Sequence, residues 1–255
     1  MERSERTIGN LNDYLAELAN AVFVHWLEDY ADVEDFASLT GGDGYRTLAE
    51  LCLKVTDGSH SSPKEDPNGE YPMFSVKDME RFGFSRSSCK MICREDFETM
   101  IANDCVPKVN DILVAKDGSY LKEIFLTDEE REEAVLSSIA IFRPNAEVIE
   151  PEILLQYLKH PRILKLVGDN FVSGSALPRI VLKDFKKLLL FVPSKDAQQI
   201  VLPILKGIRR QIRVNVEESE WLSELRDALL PKLMSGEIDV SKVDLTQLNN
   251  HLSDC

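Results

Sequence analysis

The chain has 255 residues, enough for one large domain or one domain with helical extensions, and its 44% hydrophobic and 29% charged composition is that of a water-soluble globular protein. The longest purely apolar stretch, residues 188–192, is far short of the roughly 20 residues that span a bilayer. The polar residues 1–10 do not read as a secretory signal, so a cytoplasmic protein with no membrane role is expected. Five irregularly spaced cysteines (Cys52, Cys89, Cys93, Cys105 and Cys255) fit reduced thiols.

A net charge of −14 argues against a simple nucleic-acid binder, because phosphate affinity comes from lysine and arginine. The distribution of charge alters that expectation. Residues 1–44 hold 2 basic and 10 acidic side chains, a local charge of −8, whereas residues 159–213 hold 12 basic and 3 acidic ones, a local charge of +9. Screening confines each charge to roughly 8 Å at physiological salt, so an acidic protein can carry one basic face. A solvated lysine surface with no partner would show the same pattern.

In chain order, Ile8, Leu11, Leu15, Leu18, Val22 and Trp26 recur at helical spacing and predict an amphipathic helix. The acidic stretch 29–44, with Gly41, Gly42 and Gly44, reads as a linker. From Tyr45 to Leu190, β-type runs at 73–76, 111–115 and 138–142 alternate with helical stretches such as 151–160, where Pro151 suits a first turn. The Asp57-Gly58, Asn68-Gly69 and Asp117-Gly118 pairs mark turns. This alternation predicts an α/β (α+β) domain with a twisted mixed sheet.

Residues 197–234 predict a long amphipathic helix with a stripe of Val201, Leu205, Ile208, Ile212, Val216, Leu222, Leu225, Leu229 and Leu233. Pro203 would fit its first turn, while Pro231 and Gly236 mark its far end. Such a helix, roughly 50 Å long, needs another long helix to cover its stripe, which implies a partner chain or a second copy. Two shorter helices broken near 214–219 would need neither.

The sequence holds no complete catalytic constellation. The phosphate-cradling Gly-rich loop, the dinucleotide fingerprint and the Asn-Pro-Pro-Tyr tetrapeptide of adenine methyltransferases are all missing from the sequence. Cys89 and Cys93 form one pair without a second, a poor zinc site. Asp169, Asp184 and Lys186 resemble the acidic-acidic-lysine set with which nucleases hold Mg²⁺, a spacing that also arises by chance in a highly charged chain.

The specific signals are polar turn motifs in a fixed order. Val55-Thr56-Asp57-Gly58-Ser59-His60 precedes Tyr71-Pro72-Met73-Phe74-Ser75-Val76-Lys77, followed by Asp111-Ile112-Leu113-Val114-Ala115-Lys116-Asp117-Gly118-Ser119. Ser138-Ile139-Ala140-Ile141-Phe142-Arg143-Pro144 and Ser173-Gly174-Ser175-Ala176-Leu177-Pro178-Arg179-Ile180 complete the series. This series resembles the target-recognition domain of type I restriction–modification specificity subunits. The helix ending at Trp26 resembles that family's spacer helix, and Leu225-Arg226-Asp227-Ala228-Leu229-Leu230-Pro231-Lys232-Leu233-Met234-Ser235-Gly236 resembles its C-terminal signature.

The resemblance covers about residues 8–240 and implies an N-terminal spacer helix (1–28), a linker (29–44), a recognition domain (45–193), a long coiled-coil spacer and dimerisation helix (194–240) and a tail (241–255). It departs from the family in holding one recognition domain rather than two in tandem. A half-subunit of this kind implies a homodimer, although a fragment of a longer subunit would look the same.

The implied function is recognition of double-stranded DNA without catalysis in this chain. A methyltransferase subunit and a restriction subunit would supply the chemistry, with S-adenosylmethionine, ATP and Mg²⁺ bound to those partners and none here. Base reading needs phosphate anchors and short polar side chains at base edges. The candidate DNA-binding residues are therefore Lys54, Thr56, Ser59, His60, Lys77, Lys116, Ser119, Tyr120, Ser173, Ser175 and Arg179. Candidate dimer or methyltransferase contacts are Leu15, Val22, Trp26, Ile208, Ile212, Leu222, Leu225, Leu229 and Leu233. Arg209, Arg210 and Arg213 could face protein or DNA. The competing readings are a stand-alone Mg²⁺-dependent nuclease using Asp169, Asp184 and Lys186, and a coiled-coil scaffold with no DNA role.

Overall fold

The computed structural model describes residues 2–32, 36–40, 42–87, 89–118, 120–174 and 178–238, the side chains of 2–6 excepted. The chain opens with α1 (Glu2–Glu28), followed by β1 (Ala37–Ser38) and β2 (Tyr45–Thr47). A capping box, in which Thr47 and Glu50 bond each other's backbone N–H, starts the single turn α2 (Leu48–Leu51), which feeds β3 (Cys52–Asp57). Next come β4 (Tyr71–Phe74), a 3-10 turn (Val76–Asp78) and the hairpin of β5 (Met79–Glu80) and β6 (Gly83–Phe84). Then follow β7 (Lys90–Ile92), α3 (Arg94–Ala102), β8 (Ile112–Ala115), β9 (Ile124–Leu126), β10 (Ala134–Val135) and β11 (Ile139–Pro144).

Two proline-started helices, α4 (Pro151–Lys159) and α5 (Pro161–Asn170), are followed by the hairpin of β12 (Val172–Ser173) and β13 (Arg179–Ile180). The chain closes through α6 (Leu182–Phe185), β14 (Leu189–Phe191) and α7 (Lys195–Met234). The architecture is the expected mixture of α and β with a long C-terminal helix. Its strands divide among five small sheets: β3-β11-β8-β9, β1-β14-β2, β10-β4-β7 and the two hairpins. Among the named strands only the β10–β4 pairing is parallel.

Two compact units emerge. One is Leu15–Arg210; the other is built from the described parts of Met1–Tyr14 and Gln211–Cys255. In the first, the central strands β8 and β11 are buried along almost their whole length, so they read as continuous apolar runs rather than alternating ones. One core cluster joins Phe74, Leu113, Phe125, Val135, Ile139 and Ile141, and a second joins Tyr71, Met73, Ile92, Phe97 and Met100.

The stretch expected to be a linker is partly structural. Phe36 is fully buried, with its ring 5.4 Å from Tyr157 and 4.8 Å from His160, and β1 pairs with β14. Phe36 and Ala37 are thus core residues within a stretch whose other described members are exposed or half-buried.

The stripe expected on α1 also differs. Its buried residues are Asn12, Ala19, Phe23, Trp26 and Leu27, while Leu11 and Leu18 are exposed and Leu15 and Val22 half-buried. The helix carries two adjacent apolar faces, and the one with the aromatic rings is taken inside. Phe23 meets Tyr157 edge-on at 4.8 Å, and Trp26 Nε1 donates to the Ala197 carbonyl at 3.1 Å. Trp26 is thus an internal contact, not an outward one.

The same holds for the first part of α7. Val201, Leu205 and Ile208 are buried, and Arg209 pairs with Glu152 at 2.9 Å and with Asp128. That portion of the stripe needs no partner chain. Ile212, Leu222, Leu225 and Leu229 are half-buried and Leu233 is exposed. The helix is continuous, begins beyond Ser194, whose hydroxyl accepts from Ala197 N–H, and therefore holds Pro203 in its interior rather than its first turn. Pro231 lies within the last turn, and Gly236 follows at φ 75°.

In the second unit, Asn12 and Asn215 are both buried and joined by a 2.7 Å hydrogen bond, and Gln211 donates to Asn215 at 2.9 Å. Among the described residues no helix is long and apolar enough to cross a membrane.

Candidate nucleic-acid interface

At one end of the four-stranded sheet, β3 stops at Asp57, β8 stops at Ala115 and β11 starts at Ile139. The antiparallel register sets Asp57 opposite Ala140 and Ala115 opposite Ile139, so three connections leave the sheet together. The turn after β3 is locked to the turn before β11. Gly58 N–H donates to Ile139 O at 2.9 Å, Ser59 N–H to Val135 O at 2.8 Å and Ser137 N–H to Ser59 O at 2.9 Å. A side chain on Gly58 would meet the Val135 carbonyl oxygen at 2.4 Å, which is why glycine stands there.

The β12–β13 hairpin docks on the segment leaving β8. Gly118 N–H donates to Pro178 O at 2.8 Å and Ile180 N–H to Lys116 O at 3.1 Å. The 3-10 turn joins the same group, since Val76 N–H donates to the Ser138 hydroxyl at 3.0 Å. Segments far apart in sequence, bearing His60, Lys77, Tyr120, Ser173 and Arg179, therefore converge at one sheet end.

The side chains within this cluster play unequal parts. Lys116 is buried, its ammonium 2.7 Å from Asp57, and His60 Nε2 lies 3.5 Å from the other Asp57 oxygen. Lys116 thus ties β8 to β3 and is no surface anchor. Ser59 is buried too: its hydroxyl donates to Ser61 O at 2.8 Å and accepts from Ser61 N–H at 3.1 Å. It shapes the turn.

Arg179 is more than half exposed; its Nη2 donates to Asp117 Oδ2 at 3.1 Å and its Nε lies 2.9 Å from Oδ1, an ion pair carrying one hydrogen bond. His60, Lys77 and Ser173 are exposed, and Tyr120 is half-buried beside Gly168. Ser119 and Ser175 lie outside the described residues.

Lys54 and Thr56 do not join the cluster. Thr56 is half-buried within β3, opposite Ile141, with its side chain on the sheet face opposite that of Asp57. Lys54 pairs with Asp104 toward the other end of the sheet, where Arg143 bonds both Asp111 at 2.8 Å and Asp104 at 3.1 Å. Burial alone would raise the Asp104 carboxyl, but hydrogen bonds from Lys54 and Arg143 outweigh it and hold Asp104 down at about 2. The Asp111 carboxylate and then Asp104 push the Arg143 guanidinium well above its ordinary value.

The nuclease-like set is dispersed in role: Asp184 is held by Lys187 at 2.7 Å, and Asp169 is an exposed residue of α5. Among the described residues no group of three His, Cys, Asp or Glu side chains could hold a metal ion. Cys89 and Cys93 are free thiols, the first donating to Arg86 O and the second to Asp96.

A family model described as the type I restriction modification DNA specificity domain matches residues 44–222, which include every loop of the cluster. The chain belongs to this family. A relative, the MjaIX type I restriction enzyme specificity subunit of Methanocaldococcus jannaschii, is 22% identical over 245 residues, covering 91% of this chain and 55% of the relative. The HindI specificity subunit of Haemophilus influenzae is 33% identical over 87 residues, covering 34% of this chain and 19% of that one.

The solved S subunit of a type I restriction–modification system from M. genitalium shares the fold at a TM-score of 0.57 and 16% identity, over 91% of this chain and 57% of that one. The chain spans about half the length of the MjaIX and M. genitalium subunits.

Within this specificity-family chain, sequence reasoning missed Asp57 and Asp117 as the organisers of the site. The available signal was the repeated Asp-Gly-Ser triplet, 57–59 and 117–119, whose aspartates each meet a cation.

Proposed function

We propose that this chain reads double-stranded DNA as a specificity subunit of a type I restriction–modification complex and directs a methyltransferase subunit and a restriction subunit to a bipartite target. The observation that carries this reading is the convergence of residues 57–60, 76–78, 116–118, 120, 172–174 and 178–180 at one sheet end, inside the span matched by the DNA specificity domain. His60, Lys77, Tyr120, Ser173 and Arg179 are the contacts proposed there, joined by Ser119 and Ser175. Lys116 and Ser59 hold the loops that present them.

The proposed division of the chain is a recognition domain at 45–193 between helical spacers at 1–28 and 194–240, with a linker at 29–44 and a tail at 241–255. Exposed Leu11, Tyr14, Val214, Trp221 and Leu230 of the second unit supply apolar surface for a second copy or a methyltransferase helix. A symmetric homodimer would read an interrupted palindrome, because protein symmetry is mirrored in the site. S-adenosylmethionine, ATP and Mg²⁺ would act on the partner subunits, in the cytoplasm.

The test is a DNA shift assay with the methyltransferase present. Exchange of residues 45–190 for another recognition domain should move the sequence preference. An unmoved preference, or none in the parent, overturns the proposal. DNA cleavage with Mg²⁺ alone that is lost in Asp184→Ala would favour a nuclease instead.

A further inference from the structure

Asp117 and Arg179 face each other across an antiparallel bridge between the segment leaving β8 and β13. The bonds that frame the bridge, Gly118 N–H to Pro178 O and Ile180 N–H to Lys116 O, make it a non-hydrogen-bonded pair. In such a pair the two side chains share one face and lie closest, so strand register brings this carboxylate to this guanidinium. The Asp117 side chain is 12% exposed and that of Arg179 56%. The carboxylate is sheltered while the arginine reaches solvent.

Asp117 takes up one edge of the guanidinium, with Nη2 donating to Oδ2 at 3.1 Å and Nε 2.9 Å from Oδ1. A guanidinium carries five N–H donors. No other polar partner of Arg179 occurs among the described residues, so the Nη1 donors and one Nη2 donor are unengaged. The pair as a whole has no net charge. A phosphate approaching it meets the Asp117 carboxylate as well as the guanidinium, and the two interactions oppose each other. A neutral group with two adjacent acceptors meets no such repulsion and matches the free edge of the fork. In the major groove guanine presents such a pair, N7 and O6. Asp117 also holds the long side chain before binding, so less rotamer freedom is lost when a base is met. Lys77 differs: it is exposed and forms no ion pair among the described residues, which is the character of a phosphate anchor.

We infer that Arg179 reads a guanine in the major groove rather than a phosphate, and that Asp117 is the positioning residue that sets this choice. The inference rests on the duplex-reading function proposed above.

The experiment uses the full chain with its methyltransferase subunit. Duplexes are selected from a pool with a randomised segment, and the salt slope of binding is then measured on the selected duplex. Arg179→Gln should lose the requirement for one G·C pair, by about tenfold or more in affinity ratio, with the other positions and the salt slope unchanged. Lys77→Gln should do the reverse, keeping the selected sequence and lowering the slope by about one. Asp117→Asn frees the Arg179 charge, so it should weaken the guanine preference and steepen the slope, which a merely structural aspartate would not do. Arg179→Lys keeps the ion pair but lacks the planar fork. It too should lose the guanine preference, which keeps the test decisive where glutamine disturbs the hairpin.

An Arg179→Gln variant that binds every sequence more weakly, with a slope lower by about one, makes Arg179 a phosphate anchor and overturns the inference. Variants at Arg179 that keep the parent's sequence preference overturn it as well. Both outcomes leave the parent's preference, and with it the functional reading, standing. A parent chain that selects no sequence sinks that reading and takes this inference with it.

Discussion

The Lys116 ammonium lies 2.7 Å from the Asp57 carboxylate and joins the last residue of β3 to the residue after β8. Lys116 is nearly inaccessible and Asp57 mostly so, with 6% and 23% of the side chain exposed. The pair fixes the distance between two loops of the candidate interface. Breaking a buried pair by removing one partner costs about 3–5 kcal/mol, because the other charge is left without a mate. Lys116→Met should therefore lower unfolding stability by about 3 kcal/mol in urea titrations, somewhat less for the more accessible Asp57→Asn. The double variant should recover part of the loss, and simple additivity of the two losses would refute the coupling.

Gly58 is required by contact rather than by backbone angle. A methyl group there would sit 2.4 Å from the Val135 oxygen and 2.6 Å from the Leu136 oxygen, both main-chain atoms that cannot swing aside. Gly58→Ala should cost about 2 kcal/mol or more of stability, with Gly83→Ala, where nothing lies within 4 Å, as the neutral control. Equal melting temperatures for the two variants would show that the turn relaxes.

The Asn12–Asn215 hydrogen bond sits in an otherwise helical unit and is extended by Gln211. Replacing one partner leaves the other amide buried and unsatisfied, at about 1–3 kcal/mol. Asn215→Leu should lower the melting temperature, and adding Asn12→Leu should restore much of it by making the contact apolar. If the double variant melts lower than the single one, the pair contributes more than amide satisfaction.

Asp104 binds its proton less readily when folded, its value falling from an ordinary 3.8 to about 2. A depressed carboxylate contributes stability above its unfolded value and loses that contribution as pH falls through the folded one. Stability from the Lys54–Asp104–Arg143 group should therefore be full above pH 5 and decline between about pH 4 and 2. Stability curves against pH for the parent and Asp104→Asn should converge across that window, and parallel curves would show that Asp104 contributes nothing to the decline.

Much of this was legible along the chain. The Asp-Gly pairs announced turns at 57–58 and 117–118, Pro151 announced the start of α4, and continuous apolar runs announced β8 and β11. The signals at Gly118, which sits at φ 71°, and at Pro151 are local, whereas Gly58 is held to glycine by the distant Val135 and Leu136 carbonyls. The ordered series of motifs also carried the family.

What sequence alone determined was the identity of the elements, the family and the loops that carry polar side chains. Tertiary structure decided what those side chains do. Lys116 and Arg179 look alike as cations in a loop, yet one is buried against Asp57 and the other exposed on Asp117. Trp26 and Leu18 lie on one expected stripe, yet Trp26 is buried and bonded to Ala197 while Leu18 meets solvent. Charge pairing and burial depend on residues tens of positions away, brought together by strand register, and no local pattern encodes that distance.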